Sequence, residues 1–104
     1  MACKKPSDAL SELAGRGAVG WGTSGQPPRL HKRFSLASFA EAVEFLAEVR
    51  KVADAANHHP DVCIEGYNKV DVYLITHDEG CITEKDVALA LEIEKIYARF
   101  AARR

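Results

Sequence analysis

The sequence predicts an α+β fold. It is a two-layer sandwich with an antiparallel four-stranded sheet carrying helices on one face, in the order helix, two strands, helix, two strands, helix. Three observations predict it. Segments starting at Phe39 and Glu84 repeat apolar residues at three- and four-residue spacing, each behind a capping-box sequence. Residues 70–77 alternate apolar and polar, the period of a half-buried strand. Stretches rich in Gly, Ser and Pro punctuate the chain between these runs.

Taken in order, residues 1–6 read as a mobile leader. Ser7 or Asp8 is expected to cap a short helix that buries Leu10, Leu13 and Ala14 and stops at Gly15 and Gly17. Residues 15–28 read as turn and hairpin material, with Trp21, the only Trp, as an apolar anchor. Leu30 to Leu36 form a strand with Leu30, Phe34 and Leu36 on one face. His31, Arg33 and Ser35 lie on the other, and His31 is assigned no role.

Ser38-Phe-Ala-Glu41 opens a helix running from Phe39 to about Ala56. Phe39, Ala42, Leu46, Val49 and Ala53 make its apolar stripe, and Phe45, Val52 and Ala56 widen it to an arc of roughly 180°. So wide an arc fits either a deeply buried helix or contact with another subunit. Val62–Ile64 and Val70–His77 follow as an antiparallel pair, with Gly66 and Asn68 between them and Tyr67 as a strand residue at the corner. Thr83-Glu-Lys-Asp86 caps the last helix, to about Phe100, with Leu89, Ile93, Ile96 and Phe100 facing the core. Val87 and Leu91 fall roughly opposite, a hint of contact beyond one core. Arg99, Arg103 and Arg104 suit the negative end of that helix as a solvated tail.

The chain has 104 residues, enough for one domain spanning 1–104 and too few for two. Fourteen basic against fifteen acidic residues give a net charge of −1, which argues against direct nucleic-acid binding. No apolar run approaches the ~20 residues of a membrane span, and no secretory signal opens the chain. The expected location is the cytoplasm, with an organellar or nuclear copy as a variant. Cys3, Cys63 and Cys81 are odd in number and lack a CxxC, so the expectation is three reduced thiols and no structural zinc.

Chemistry is expected at the histidines. His58 and His59 leave the long helix just before Pro60, which cannot continue it, and His77 ends the clearest strand. If the helix end and strand end are neighbours, the three line one cleft. Imidazoles exchange protons near neutral pH and suit general acid–base work. Asp54, four residues before His58, and Asp86, in the first turn of the last helix, are the carboxylates placed to orient them. Metal binding is disfavoured because no HxH, HExxH or CxxC occurs. A cysteine nucleophile at Cys63 or Cys81 lacks a supporting motif, and no nucleotide-binding fingerprint is present.

Asp54-Ala-Ala-Asn-His58-His59-Pro60, then Tyr67-Asn-Lys-Val70-Asp-Val72-Tyr-Leu74-Ile-Thr76-His77, then Ile82-Thr-Glu-Lys-Asp86, resembles the signature of pterin-4a-carbinolamine dehydratases. Gly20-Trp21 and the Arg33-Phe34 strand also look like that family, so the resemblance covers roughly residues 7–100. It implies a hydro-lyase that dehydrates 4a-hydroxytetrahydropterin to quinonoid dihydropterin, recycling the cofactor of aromatic amino acid hydroxylases. No metal or organic cofactor is implied. By the same resemblance His58, His59 and His77 are the catalytic histidines, and Asp54, Pro60, Thr76 and Asp86 bind substrate or support them. His59 is expected to handle the proton at the reacting centre with His77 as its partner, while His58 and Asp54 hold the pterin.

The resemblance also implies self-association as a dimer or tetramer. Its alternative is a non-enzymatic interaction module, like the transcriptional dimerisation cofactors of the family, working through the helical face. Two departures stand out. Asp61-Val62-Cys63 replaces a stretch where many members carry Trp, and Cys81 occupies a turn position where Gly is common. A Cys at a positive-φ position there would be strained.

Overall fold

A computed structural model describes residues 2–103. Met1 of the expected leader and Arg104 of the expected basic tail lie outside the described residues. Three helices and four strands follow the predicted order: α1 (Pro6–Gly15), β1 (Gly22–Ser24), β2 (Arg29–Ser35), α2 (Phe39–Ala56), β3 (Asp61–Glu65), β4 (Lys69–Leu74) and α3 (Glu84–Ala101). The sheet is antiparallel throughout, in the order β1-β2-β4-β3.

Register explains which face meets the helices. Leu30 pairs with Leu74, Phe34 with Val70, and Ile64 with Val70 from the other side. Leu30, Phe34, Val70, Val72 and Leu74 are all buried and pack against α2 and α3. The aromatic centre is Phe45, whose ring lies 5.2 Å from Phe34, 5.9 Å from Tyr97 and 5.7 Å from Phe100. Trp21 anchors the first hairpin as expected. It is buried, its ring edge meets Phe34, and its Nε1 donates to Glu94 Oε2 at 2.8 Å.

Helix α2 has the predicted bounds, and Ser38 Oγ accepts from Glu41 N at its start. Its buried stripe is Ala42, Phe45, Val49 and Ala53, whereas Phe39 is 56% exposed. Ala42, Val49 and Ala53 lie on the expected line; Phe45 is the fully buried member beside them, and Leu46 is partly buried against the core. On α3, Val87 is fully buried and belongs to the core, so it carries no hint of an outside contact. The chain at 66–68 is a turn, with Gly66 and Tyr67 both at positive φ, so Tyr67 is an exposed turn residue. β4 ends at Leu74, and beyond it Thr76 makes an isolated bridge with Cys81.

The N-terminal arm departs most from expectation. α1 starts at Pro6, whose missing N–H suits the first helical turn, and neither Ser7 nor Asp8 caps it. Lys4 N donates to Ile82 O at 2.8 Å, and the Lys4 ammonium pairs with Glu12 and Glu84. That docking brings Cys3 beside Cys81, with Cα atoms 5.7 Å apart, and the two form a disulfide. The expectation of three reduced thiols is corrected, and only Cys63 is free among the described residues. A pair 78 residues apart leaves no local trace in sequence. The turn position is unstrained too, because the positive φ falls on Gly80 and not on Cys81. Among the described residues no helix is long and apolar enough to cross a membrane.

Candidate active site

Helix α2 stops at Asn57, which adopts the left-handed conformation that Asn tolerates best among non-glycine residues. Asn57 N donates to Asp54 O, and His58 N reaches back to Ala53 O. Pro60 then forbids further helix, so His58 and His59 leave at the helix end. The turn after β4 is closed by Thr76 N to Cys81 O at 3.0 Å and by Gly80 N to Thr76 O at 2.9 Å. It presents His77 opposite them. The helix end and the strand end are neighbours, and the three histidines meet. Together with Asn57, Thr76, Asp78 and Lys85 they line one open cavity of about 230 Å³.

Each of the first two histidines is seated on a different carboxylate. His58, nearly buried, has Nε2 2.6 Å from Oδ1 of the fully buried Asp86. His59, exposed, has Nε2 2.9 Å from Asp54 Oδ1. The spacing from Asp54 to His58 suggested that pairing, but the αL turn at Asn57 swings His58 toward α3 and leaves Asp54 to His59. A carboxylate only accepts, so each pairing puts the proton on Nε2 and makes Nδ1 the basic nitrogen of the neutral ring. The His59 hydrogen bond, and then Arg50 at 3.1 Å, hold the Asp54 carboxyl below the usual carboxylate range.

Asp86 is held by more than His58. Its Oδ2 accepts from Thr76 Oγ1 and from Thr83 N, both at 2.8 Å. Thr76 spends its hydroxyl proton on Asp86, so Thr83 donates to Thr76 Oγ1 at 2.7 Å, and Thr83 Oγ1 in turn accepts from Lys85 N. The helix cap and the histidine seat are therefore one buried network. His77 is looser. Its Nε2 lies 3.9 Å from Asp61 Oδ2, and Asp61 also meets Arg29, whose guanidinium lies over the Tyr73 ring.

Pro60 borders a neighbouring apolar groove of about 270 Å³ with His59, Val62, Leu46, Val49, Arg50 and Ala53. His31, given no role from sequence, pairs with Asp71 on the outer sheet face at 2.9 Å, outside this cavity. Asn57, Asp61, Thr83 and Lys85 were missed as site residues. Asn57 and Asp61 flank His58-His59-Pro60, and Thr83 and Lys85 lie inside the Ile82–Asp86 motif, so all four were within reach of a motif reading. Among the described residues no group of three or more His, Cys, Asp or Glu is placed to hold a metal ion.

Residues 4–96 match the family model described as pterin 4 alpha carbinolamine dehydratase. A relative in Sulfurisphaera tokodaii, carried under the provisional name pterin-4-alpha-carbinolamine dehydratase, is 51% identical over 77 residues, covering 74% of this chain and 80% of its own. One of the same provisional name in Saccharolobus islandicus is 40% identical over 91 residues, 88% of each chain. Among solved structures, a transcriptional coactivator/pterin dehydratase from Brucella melitensis superposes with a TM-score of 0.78 at 29% identity, covering 92% of this chain and 99% of its own. A pterin dehydratase-like protein described as a RuBisCO assembly factor in the alpha-carboxysome superposes at 0.63 with 25% identity, covering 75% and 89%. With nine-tenths of its length inside the family model and its histidine motif folded into one cleft, the chain belongs to the pterin 4 alpha carbinolamine dehydratase family.

Proposed function

We propose that the protein dehydrates 4a-hydroxytetrahydropterin to quinonoid dihydropterin by histidine acid–base catalysis. As a hydro-lyase it would recycle the cofactor of aromatic amino acid hydroxylases, in the cytoplasm. The observation that carries this reading is the convergence of His58, His59 and His77 on one cavity, two of them seated on carboxylates. Loss of water from C4a needs a proton delivered to the departing hydroxyl and the N5 proton removed. Both are proton transfers, which positioned imidazoles supply.

The seating supports a division of roles. His58 is held on buried Asp86 and serves to bind and orient the pterin. His59 and His77 are exposed toward the opening and free to exchange protons with substrate. Asp54 fixes the tautomer and direction of His59. Stopped-flow ultraviolet absorbance of freshly generated 4a-hydroxytetrahydropterin tests the reading. Decay faster than the spontaneous rate supports it, and an unaltered decay with folded protein overturns it.

A second property is argued from α2. Phe39 and Val43 are exposed one turn apart near its start, and farther along it an apolar groove runs past Leu46, Pro60 and Val62. We infer that this flank is covered by self-association into a dimer or tetramer, or by another protein if the chain works as an interaction module. Light scattering on Val43→Lys distinguishes these readings: a smaller particle than wild type supports the oligomer.

A further inference from the structure

We propose that the Cys3–Cys81 disulfide is a reversible thiol-modification site that clasps the turn carrying His77 and so couples redox state to the proposed dehydratase site. This rests on the dehydratase reading for its activity readout, though not for its structural one.

The clasp acts on a short piece of backbone. Thr76 N bonds Cys81 O, so Cys81 is the closing residue of the turn that holds His77, Asp78, Glu79 and Gly80. Next to it, Ile82 O takes the Lys4 N–H, so residues 3 and 4 lie along 81 and 82. The same turn leads into the Asp86 network through Thr76 and Thr83. Movement at Cys81 therefore reaches His77 through one turn, and reaches the His58 seat through Thr76.

The rest of the anchorage is weak by comparison. Among the described residues, the arm ahead of α1 is otherwise held by the Lys4 N–H to Ile82 O bond and by Lys4 ion pairs to Glu12 and Glu84, in reach of solvent. At the turn tip, Glu79 N and Gly80 N bond Thr76 O, and Gly80 N also reaches His77 O at 3.2 Å. Segments kept by few, exposed hydrogen bonds open locally.

The bond is also placed for exchange. Cys3 is exposed and Cys81 half-buried, so an external thiolate reaches Cys3 Sγ first. Attack by a dithiol reductant there forms a mixed disulfide and expels the Cys81 thiolate, which takes a proton. The second thiol of the reductant then releases Cys3 as a thiol and closes its own disulfide. Two electrons and two protons pass from the dithiol to the protein. Cys63, on the outer sheet face, takes no part.

The test compares air-oxidised protein, the same protein reduced with dithiothreitol, and Cys3→Ser. Thiol titration of the native oxidised protein should find one thiol, Cys63, and three after reduction. Amide hydrogen exchange at Glu79 and Gly80 should quicken about tenfold on reduction, return on reoxidation, and be permanently fast in Cys3→Ser. The kcat/KM for 4a-hydroxytetrahydropterin should fall in step with exchange.

Three titrating thiols in the oxidised protein overturn the proposal. So does unchanged exchange in the turn, which would make the bond a tether only. Faster exchange with an unchanged kcat/KM overturns the coupling. If no form accelerates dehydration, the dehydratase reading fails, and the clasp is then decided by turn exchange and by the His77 ring resonances alone.

Discussion

His58 Nε2 lies 2.6 Å from Oδ1 of Asp86, a carboxylate with no exposed surface, at the start of a helix from a different part of the chain. That contact ties the end of α2 to the cap of α3 and orients one histidine of the cleft. Removing one partner of a buried, hydrogen-bonded pair leaves the other unsatisfied. Asp86→Ala should therefore lower stability by about 3–5 kcal/mol in urea unfolding. Asp86→Asn keeps the volume and should stay folded, with raised KM for pterin and a disturbed His58 ring resonance. A Asp86→Ala variant as stable as wild type contradicts this account of the network.

The His59–Asp54 pair is exposed, so its effect should fall on activity more than on stability. Asp54→Ala should reduce kcat by less than His59→Ala does, because it disturbs orientation while leaving the proton carrier in place. Nitrogen-15 spectra of the His59 ring should show the wild-type proton on Nε2 and a tautomer mixture in Asp54→Ala. Equal losses of kcat in the two variants would give Asp54 a direct part in the chemistry.

Acid sensitivity should trace in part to Asp71. It sits on the outer sheet face but is nearly buried, gripped by Arg33 through Nε at 3.0 Å and Nη2 at 2.8 Å, with His31 on the same carboxylate. The Arg33 hydrogen bonds, against the opposing effect of burial, hold its pKa below the usual range. In the native state it therefore stays ionised at a pH where the unfolded chain takes up a proton. Its contribution is complete above roughly pH 5 and is lost as pH falls through about 4 and below. The Tm difference between wild type and Asp71→Asn should be largest near pH 6 and shrink toward pH 3. A constant difference would show that the carboxylate charge is not the cause.

Three other rings, those of Phe34, Tyr97 and Phe100, converge on Phe45. It is fully buried, so Phe45→Ala should leave a cavity between α2, α3 and the sheet and cost about 3–5 kcal/mol. Equilibrium urea unfolding checks this. A loss below about 1 kcal/mol would mean that the core refills the space by shifting Leu46 or Tyr97.

Much of this was legible in the sequence where local rules act. Ser38 with Glu41 marked the start of α2, and Thr83 with Asp86 marked α3, because a helix end must satisfy its own amides within a few residues. The alternation from Val70 to Leu74 marked the central strand because one face is buried. The meeting of His58, His59 and His77 was legible as a motif but not as geometry. What escaped was set by tertiary placement. The partner of His58 depended on the backbone swing at Asn57, and the Cys3–Cys81 bond on an arm docked along Ile82. Asp71 faces outward in the strand alternation, and its burial comes from Arg33 and His31, which cover it from β2.

The central claim is that this histidine cleft performs the dehydration. The most direct measurement is stopped-flow turnover of 4a-hydroxytetrahydropterin by wild type, His59→Ala and His77→Ala, each shown folded by circular dichroism. The account predicts acceleration over the spontaneous decay by wild type and a fall in kcat of about 10²-fold or more in each variant, well beyond any change in KM. Wild-type kcat retained in both variants would contradict it.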